Sequence, residues 1–339
     1  MKNLIALSTL LLAYTCGSTQ MKETPSSAVV EPGGPDGVKA EMPKDEKLKE
    51  VTFTNAKEIE SIVRFLASDE LKGRDSGSEG IEVAAQFIEK RFDEQGLKPY
   101  FQTYRDTLSN FKKHAYNVLG MLEGTDPVLK NEYIVVGAHY DHIGTIKPEG
   151  GDAIANGAND NASGTTTVLE LARYFAKHKT NKRSLIFTLF SAEEKGLLGS
   201  KHLAKKMKAE ELNLYVMLNF EMTGVPLKGK DYEVYITGYN MSNLAEVGNG
   251  IAEGNLMGFL PTAKEYNLFQ RSDNYPFYQE FGVPAHTFCT FDFTNFIHYH
   301  KVSDEAKLMD YYHMAGLVNK MIPVLEGIAN APTQEIKMN

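Results

Sequence analysis

The hydrophobic positions of this chain keep two alternating rhythms. Ile59, Ile62, Val63 and Leu66 recur at helical spacing. Val83, Ala84, Phe87, Ile88 and Phe92 do so again, with Gly96 placed to end that helix. Three nearly continuous apolar runs follow: Ile134 to Val136, Leu185 to Phe190, and Leu214 to Phe220. Such runs suit strands buried on both faces. Between the first two, Val168, Leu171, Ala172 and Phe175 mark another helix. The resulting β-α-β-α-β pattern predicts a mostly parallel sheet with helices on both faces. Tyr104 to Leu122 reads as an antiparallel pair of strands added to it. The expected fold is therefore a three-layer α/β/α sandwich around a central mixed, mostly parallel sheet.

The first residues follow neither rhythm. Lys2 precedes an apolar run from Leu4 to Ala13, too short to span a bilayer and suited to an export signal. Cys16 follows at once. It predicts an exported bacterial lipoprotein, periplasmic or anchored in the outer membrane by lipid on that cysteine. Ala13, Tyr14 and Thr15 depart from the usual small-residue run before it, and the alternative is a plain secreted protein. Residues 17–47 are rich in Pro, Gly, Ser, Lys and Glu and predict a flexible tether. The expected organisation is a signal over 1–16, a tether over 17–47 and one folded domain over 48–330.

Composition supports a sizeable core, with 42% hydrophobic and 24% charged residues among 339. The formal charge of −8 offers no basic stripe for nucleic acid. Cys289 lies among Phe288, Phe291 and Phe293 and is expected to be a buried thiol rather than a nucleophile.

Five short segments gather His, Asp and Glu just past the strand runs, and in open α/β sheets sites form at the carboxyl ends of strands. In Gly137-Ala-His139-Tyr-Asp141-His142, the first His can ligate a metal while Asp141 accepts its other ring N–H. In Gly157-Ala-Asn-Asp160-Asn-Ala-Ser-Gly164, Asp160 either caps the next helix or bridges two cations. Of Glu193 and Glu194, one can bind metal while the other takes a proton from the attacking water. Glu221 again ends an apolar strand. In His298-Tyr-His300-Lys-Val-Ser-Asp304, His300 is the better ligand, with Asp304 beginning or capping the last helix and His298 a bystander. Carboxylates and imidazoles without thiolates suit Zn, and also Mn or Co.

These segments together resemble the co-catalytic di-zinc aminopeptidases, relatives of bacterial leucyl aminopeptidase, glutamate carboxypeptidase and glutaminyl cyclase. Leu-Lys-Gly-Arg74 and Ser272-Asp273-Asn-Tyr-Pro-Phe277 match as well, so the resemblance runs from about Glu58 to Val324. It implies that Asp160 bridges two zinc ions, His139 and Glu221 complete one site, and Glu194 and His300 complete the other. It also implies that Asp141 orients His139 and that Glu193 is the general base. Most relatives have Asp where this chain has Glu221, which leaves the second site in question. The implied reaction is hydrolysis of an N-terminal peptide bond through a two-metal-activated water. The alternatives are a single-zinc enzyme like the glutaminyl cyclases and a catalytically silent metal-binding lipoprotein. The chain has no tryptophan for an indole-lined pocket of the kind cyclases use. A peptide is the expected substrate, membrane contact is expected only through Cys16, and the oligomeric state is open.

Overall fold

The three apolar runs form the middle of a nine-stranded sheet in a computed structural model that describes residues 52–339. The signal, the tether and Cys16 lie outside the described residues. In chain order the strands are β1 (Lys98–Pro99), β2 (Arg105–Thr107), β3 (Tyr116–Leu122), β4 (Tyr133–His139), β5 (Gly144–Glu149), β6 (Asp152–Ala155), β7 (Ser184–Phe190), β8 (Leu214–Glu221), β9 (Val234–Ile236), β10 (Met257–Gly258) and β11 (Ala285–Cys289). The helices are α1 (Ala56–Leu66), α2 (Glu79–Gln95), α3 (Gly164–His178), α4 (Leu198–Ala209), α5 (Leu244–Ala252), α6 (Pro261–Glu265), α7 (Asn274–Phe281) and α8 (Tyr311–Asn330).

The main sheet runs β1-β3-β7-β4-β8-β11-β9-β10, with β2 paired to β3. Its four central strands, β7, β4, β8 and β11, are mutually parallel. Antiparallel pairing is confined to the two sides, where β3 adds to β7 and β9 adds to β11. The expected mixed sheet is present, and Tyr104 to Leu122 supplies the antiparallel β2–β3 pair. β5 and β6 pair antiparallel as a separate two-stranded ribbon that follows β4 in the chain.

Alternation along each strand divides the apolar residues between two layers. Val136, Phe187, Leu218 and Phe220 face one core with Ile62, Ile88, Val168 and Leu325 from α1, α2, α3 and α8. Val135, Ile186, Phe190 and Met217 face the other, with Leu203 and Met207 of α4 and Phe277 of α7. Both faces of the central strands are covered, which is why their sequences are continuously apolar. Each such side chain contributes about 1.5–3 kcal/mol when fully buried, so the strands form a rigid base for whatever their ends carry. No described helix is long and apolar enough to cross a membrane. The fold continues past residue 330: Ile336 is buried and its N–H bonds to the Tyr215 hydroxyl at 2.7 Å.

Because β4, β7 and β8 are parallel, their last residues emerge on one edge. His139 ends β4, Glu221 ends β8, and Ser191 to Glu194 follow β7 directly.

Candidate metal centre

His139 is held by its own loop. Its Nδ1 pairs with the main-chain carbonyl of Asp141 at 3.1 Å, which turns Nε2 to the carboxylates. Asp141 meets His139 with its main-chain carbonyl rather than with the expected carboxylate, whose Oδ1 is 3.7 Å from Nδ1, beyond hydrogen-bond range. That carboxylate is engaged elsewhere, by the Ser76 hydroxyl at 3.1 Å and the Glu193 N–H at 3.1 Å. Asp141 therefore fixes the backbone of Glu193 as well as the ring of His139. Burial pushes its pKa up to about 6, against the opposing pull of His139.

Asp160 caps no helix. It sits in an irregular turn, Ala158–Ser163, ahead of α3. The polar residues of that turn stitch it to the end of β8. Asn161 accepts the Met222 N–H at 3.0 Å and donates to Phe220 O at 2.9 Å, and Asn159 accepts the Gly224 N–H at 2.9 Å. Gly164 is required there, since a Cβ would lie 2.3 Å from Phe220 O. Asp304, expected at the start of the last helix, has a different place. It is fully buried and accepts the N–H groups of Asn159 and Asp160 at 2.8 and 3.0 Å. The last helix starts seven residues later and is capped by Asp310, whose carboxylate takes the His313 N–H. The two N–H groups exposed by the Asp160 turn needed a buried acceptor, and Asp304 meets that need. Arg74 ties the neighbouring loops, donating to the carbonyls of Tyr140, Leu66, Asn156 and Gly157. Burial lowers its pKa to about 10.

Around Asp160 the expected ligands come together. Its Oδ1 is 3.4 Å from His139 Nε2, which lies 2.8 Å from Glu221 Oε1. Its Oδ2 is 3.2 Å from His300 Nε2, which lies 3.1 Å from Glu194 Oε2. Glu221 is secured by Ser272, whose hydroxyl donates to Oε2 at 2.6 Å and is itself held by Asn219 at 2.9 Å. His142 also enters the cluster, its Nδ1 3.0 Å from Glu194 Oε1. His298 does not; it pairs with the Ser303 hydroxyl at 2.9 Å. Ser272, Asp304 and His142 all lie inside or beside the motifs, yet only the folded arrangement assigns them these contacts.

The charge balance of the cluster calls for cations. Burial opposes protonation of His300, yet Asp160 and Glu194 raise its pKa to about 10. Burial likewise disfavours a charged His139, yet Glu221 and Glu193 pull its pKa well above the usual imidazole value. The carboxylates attract positive charge, which protonated rings or bound cations can supply. Asp160 Oδ2 is buried and, although His300 Nε2 is 3.2 Å away, receives no well-directed hydrogen bond among the described residues. A buried carboxylate oxygen with no donor is costly unless a cation faces it. Two donor groups, His139-Asp160-Glu221 and His142-Asp160-Glu194, are each compact enough for one ion and share Asp160. Nitrogen and oxygen donors in this ratio suit zinc.

Glu193 belongs to neither group. It lines the same cleft, and burial, with Glu221, Asp273 and Glu194 nearby, raises its carboxyl well above the ordinary range. Leu268, Phe291, Phe293 and Tyr299 supply an apolar wall. Cys289 also reaches the cleft, but burial pushes its thiol up to about 12, which keeps it an inert thiol rather than a nucleophile.

Comparison with known proteins matches this frame. A probable zinc metalloprotease of Pyrenophora teres f. teres is 34% identical over 197 residues, 53% of this chain and 41% of its own length. A probable leucine aminopeptidase of Arthroderma otae is 32% identical over 161 residues, 46% of this chain and 41% of its own. The matched region thus spans less than half of these relatives. Among solved structures, a Porphyromonas gingivalis glutaminyl cyclase shares the fold, with a TM-score of 0.63 at 16% identity over 81% of this chain and 98% of its own. The model of "Peptidase family M28" matches residues 117–322, from β3 into α8 and through the whole ligand cluster, and the chain belongs to that family.

Proposed function

We propose that the chain is a two-zinc aminopeptidase, hydrolysing peptide bonds next to a free amino terminus. The observation that carries this reading is the division of Asp160: one carboxylate oxygen faces the His139–Glu221 group and the other faces the Glu194–His300 group. A carboxylate divided in this way would hold two cations, the usual two-metal arrangement of hydrolases. When bound, the zinc ions polarise the scissile carbonyl and lower the pKa of the attacking water.

The chain's own residues do the rest. Glu193, next to ligand Glu194 and fixed at its N–H by Asp141, accepts the proton of the attacking water and returns it to the leaving amine. Its raised pKa suits that exchange, since a base working near neutrality needs a carboxyl well above its ordinary value. Tyr299 lines the cleft and stacks on His300 with ring centroids 3.9 Å apart. Its hydroxyl has no hydrogen-bond partner among the described residues and is free to donate to the developing oxyanion. Tyr235 is not, because its hydroxyl donates to Phe291 O at 2.8 Å. The apolar wall of Phe291, Phe293 and Leu268 receives an apolar N-terminal side chain.

The fold is shared with a glutaminyl cyclase, so fold alone does not choose the reaction. The second donor group, His139-Asp160-Glu221 beside Glu194, favours the peptidase. The test is a panel on the zinc-loaded protein: aminoacyl amides, the same peptides N-acetylated, and N-terminal glutaminyl peptides. Hydrolysis of free-amino substrates alone is expected. Cyclisation of the glutaminyl peptides with ammonia release, or no turnover at all, would overturn the reading.

A further inference from the structure

His142 stands three residues beyond His139 and is fully buried. Its main-chain N–H bonds to Arg74 O at 3.2 Å, which fixes where the ring enters. Nδ1 lies 3.0 Å from Glu194 Oε1 and 3.7 Å from Asp160 Oδ2. His300 approaches the same two carboxylates at 3.1 and 3.2 Å, from a ring whose centroid is 5.7 Å away. In a tetrahedral zinc site with bonds of about 2.0–2.1 Å, ligand atoms stand about 3.3–3.4 Å apart. The four separations, 3.0, 3.1, 3.2 and 3.7 Å, bracket that value.

Gly157 makes room for the ring, since a Cβ there would lie 2.5 Å from His142 Cγ. The outer nitrogen, Nε2, is buried and has no partner among the described residues, so Nδ1 carries the ring's polar contacts. A ring coordinating through Nδ1 keeps its proton on Nε2; a ring that only hydrogen-bonds Glu194 would carry it on Nδ1.

We propose that His142, through Nδ1, is a fourth protein ligand of the cation held by Asp160, Glu194 and His300. The proposal rests on the metal-centre reading above and sharpens it. The Glu194 site then has four protein ligands and the Glu221 site has three. The Glu194 site therefore fills first and exchanges more slowly, while the Glu221 site keeps the open position.

Two measurements test this without reference to turnover. The first is an anomalous-scattering crystal structure of the zinc-loaded wild-type protein. A zinc peak about 2.0–2.1 Å from His142 Nδ1 upholds the proposal; a peak in the Glu194 site more than about 3 Å from it, or no peak there, overturns it. The number of peaks separately tests the two-metal reading: a single peak defeats that reading, and His142 is still judged by its distance to that peak. The second is chelator-competition zinc titration of His142→Asn, which keeps an N–H for Glu194 but removes the imidazole. About a hundredfold weaker affinity at one site is expected for a lost ligand, at the upper end of what supporting groups around a metal contribute. Wild-type affinity in His142→Asn would reduce His142 to a positioning residue and overturn the proposal.

Discussion

Glu221→Asp probes whether the unusual glutamate serves its site or spoils it. Removing one methylene retracts the carboxylate by about 1.5 Å, the length of a C–C bond. In the native chain Oε1 is 2.8 Å from His139 Nε2 and Oε2 is 2.6 Å from the Ser272 hydroxyl. A retraction of that size carries both contacts out to about 4 Å, past hydrogen-bond range. The backbone cannot follow, because Glu221 is in register with Cys289 of β11 and the preceding Phe220 is buried against Phe288. Metal–ligand distances tolerate only about 0.2 Å. The loss of the charge-assisted Ser272 bond alone is worth about 1.5–3 kcal/mol, which is roughly 10–150-fold in affinity. Chelator-competition titration should therefore show one zinc site weakened by about that factor and the other unchanged, with turnover reduced at limiting zinc. Tighter binding and faster turnover in the aspartate variant would refute this reasoning and mark Glu221 as a defect. No change in either quantity would mean that Glu221 does not touch the metal.

Three other outcomes follow from the same geometry. Glu193→Gln should keep its full zinc content and lose about 10²–10⁴-fold in kcat, the usual contribution of a general base; near-normal kcat in a zinc-replete variant refutes the assignment. Asp160→Ala should lose both ions and His300→Ala should weaken one, as read by elemental analysis after dialysis; equal losses argue against a bridging role. The metal-free protein should lose stability as pH rises. Burial raises Asp141 and Asp304 to about 6 and Asp273 to about 7, against an unfolded value of about 3.9. The folded state therefore holds these protons more tightly; the stabilisation is full below about pH 4 and is lost as pH rises through about 6–7. The Tm of chelator-treated protein should fall by on the order of 5 °C across that window, and zinc should flatten the slope. A Tm that climbs with pH in the absence of metal contradicts the sign.

The sheet was legible because burial on both faces leaves a mark in single strands: Leu185 to Phe190 and Leu214 to Phe220 are continuous apolar runs for that reason. Of the candidate ligands, His139, Glu194 and Glu221 are legible because each ends or closely follows such a run. What the sequence concealed are contacts across long separations. The sequence pattern places Asp304 at a helix start, yet it accepts two N–H groups from a turn some 144 residues earlier. The spacing of the first motif predicts that the Asp141 carboxylate reaches His139, yet Ser76 and Glu193 claim that group. His142 stood inside the first motif with no signal of its own, since its partner Glu194 is 52 residues on. Local patterns state which residue types gather at strand ends; which atom meets which is settled by the tertiary packing.

The claim that two zinc ions act together is tested most directly by titrating zinc into the metal-free protein while following bound metal and the hydrolysis of an aminoacyl amide. The account predicts that the rate climbs to its maximum as the second equivalent binds. A maximum reached at one equivalent, with no further gain at two, would contradict it.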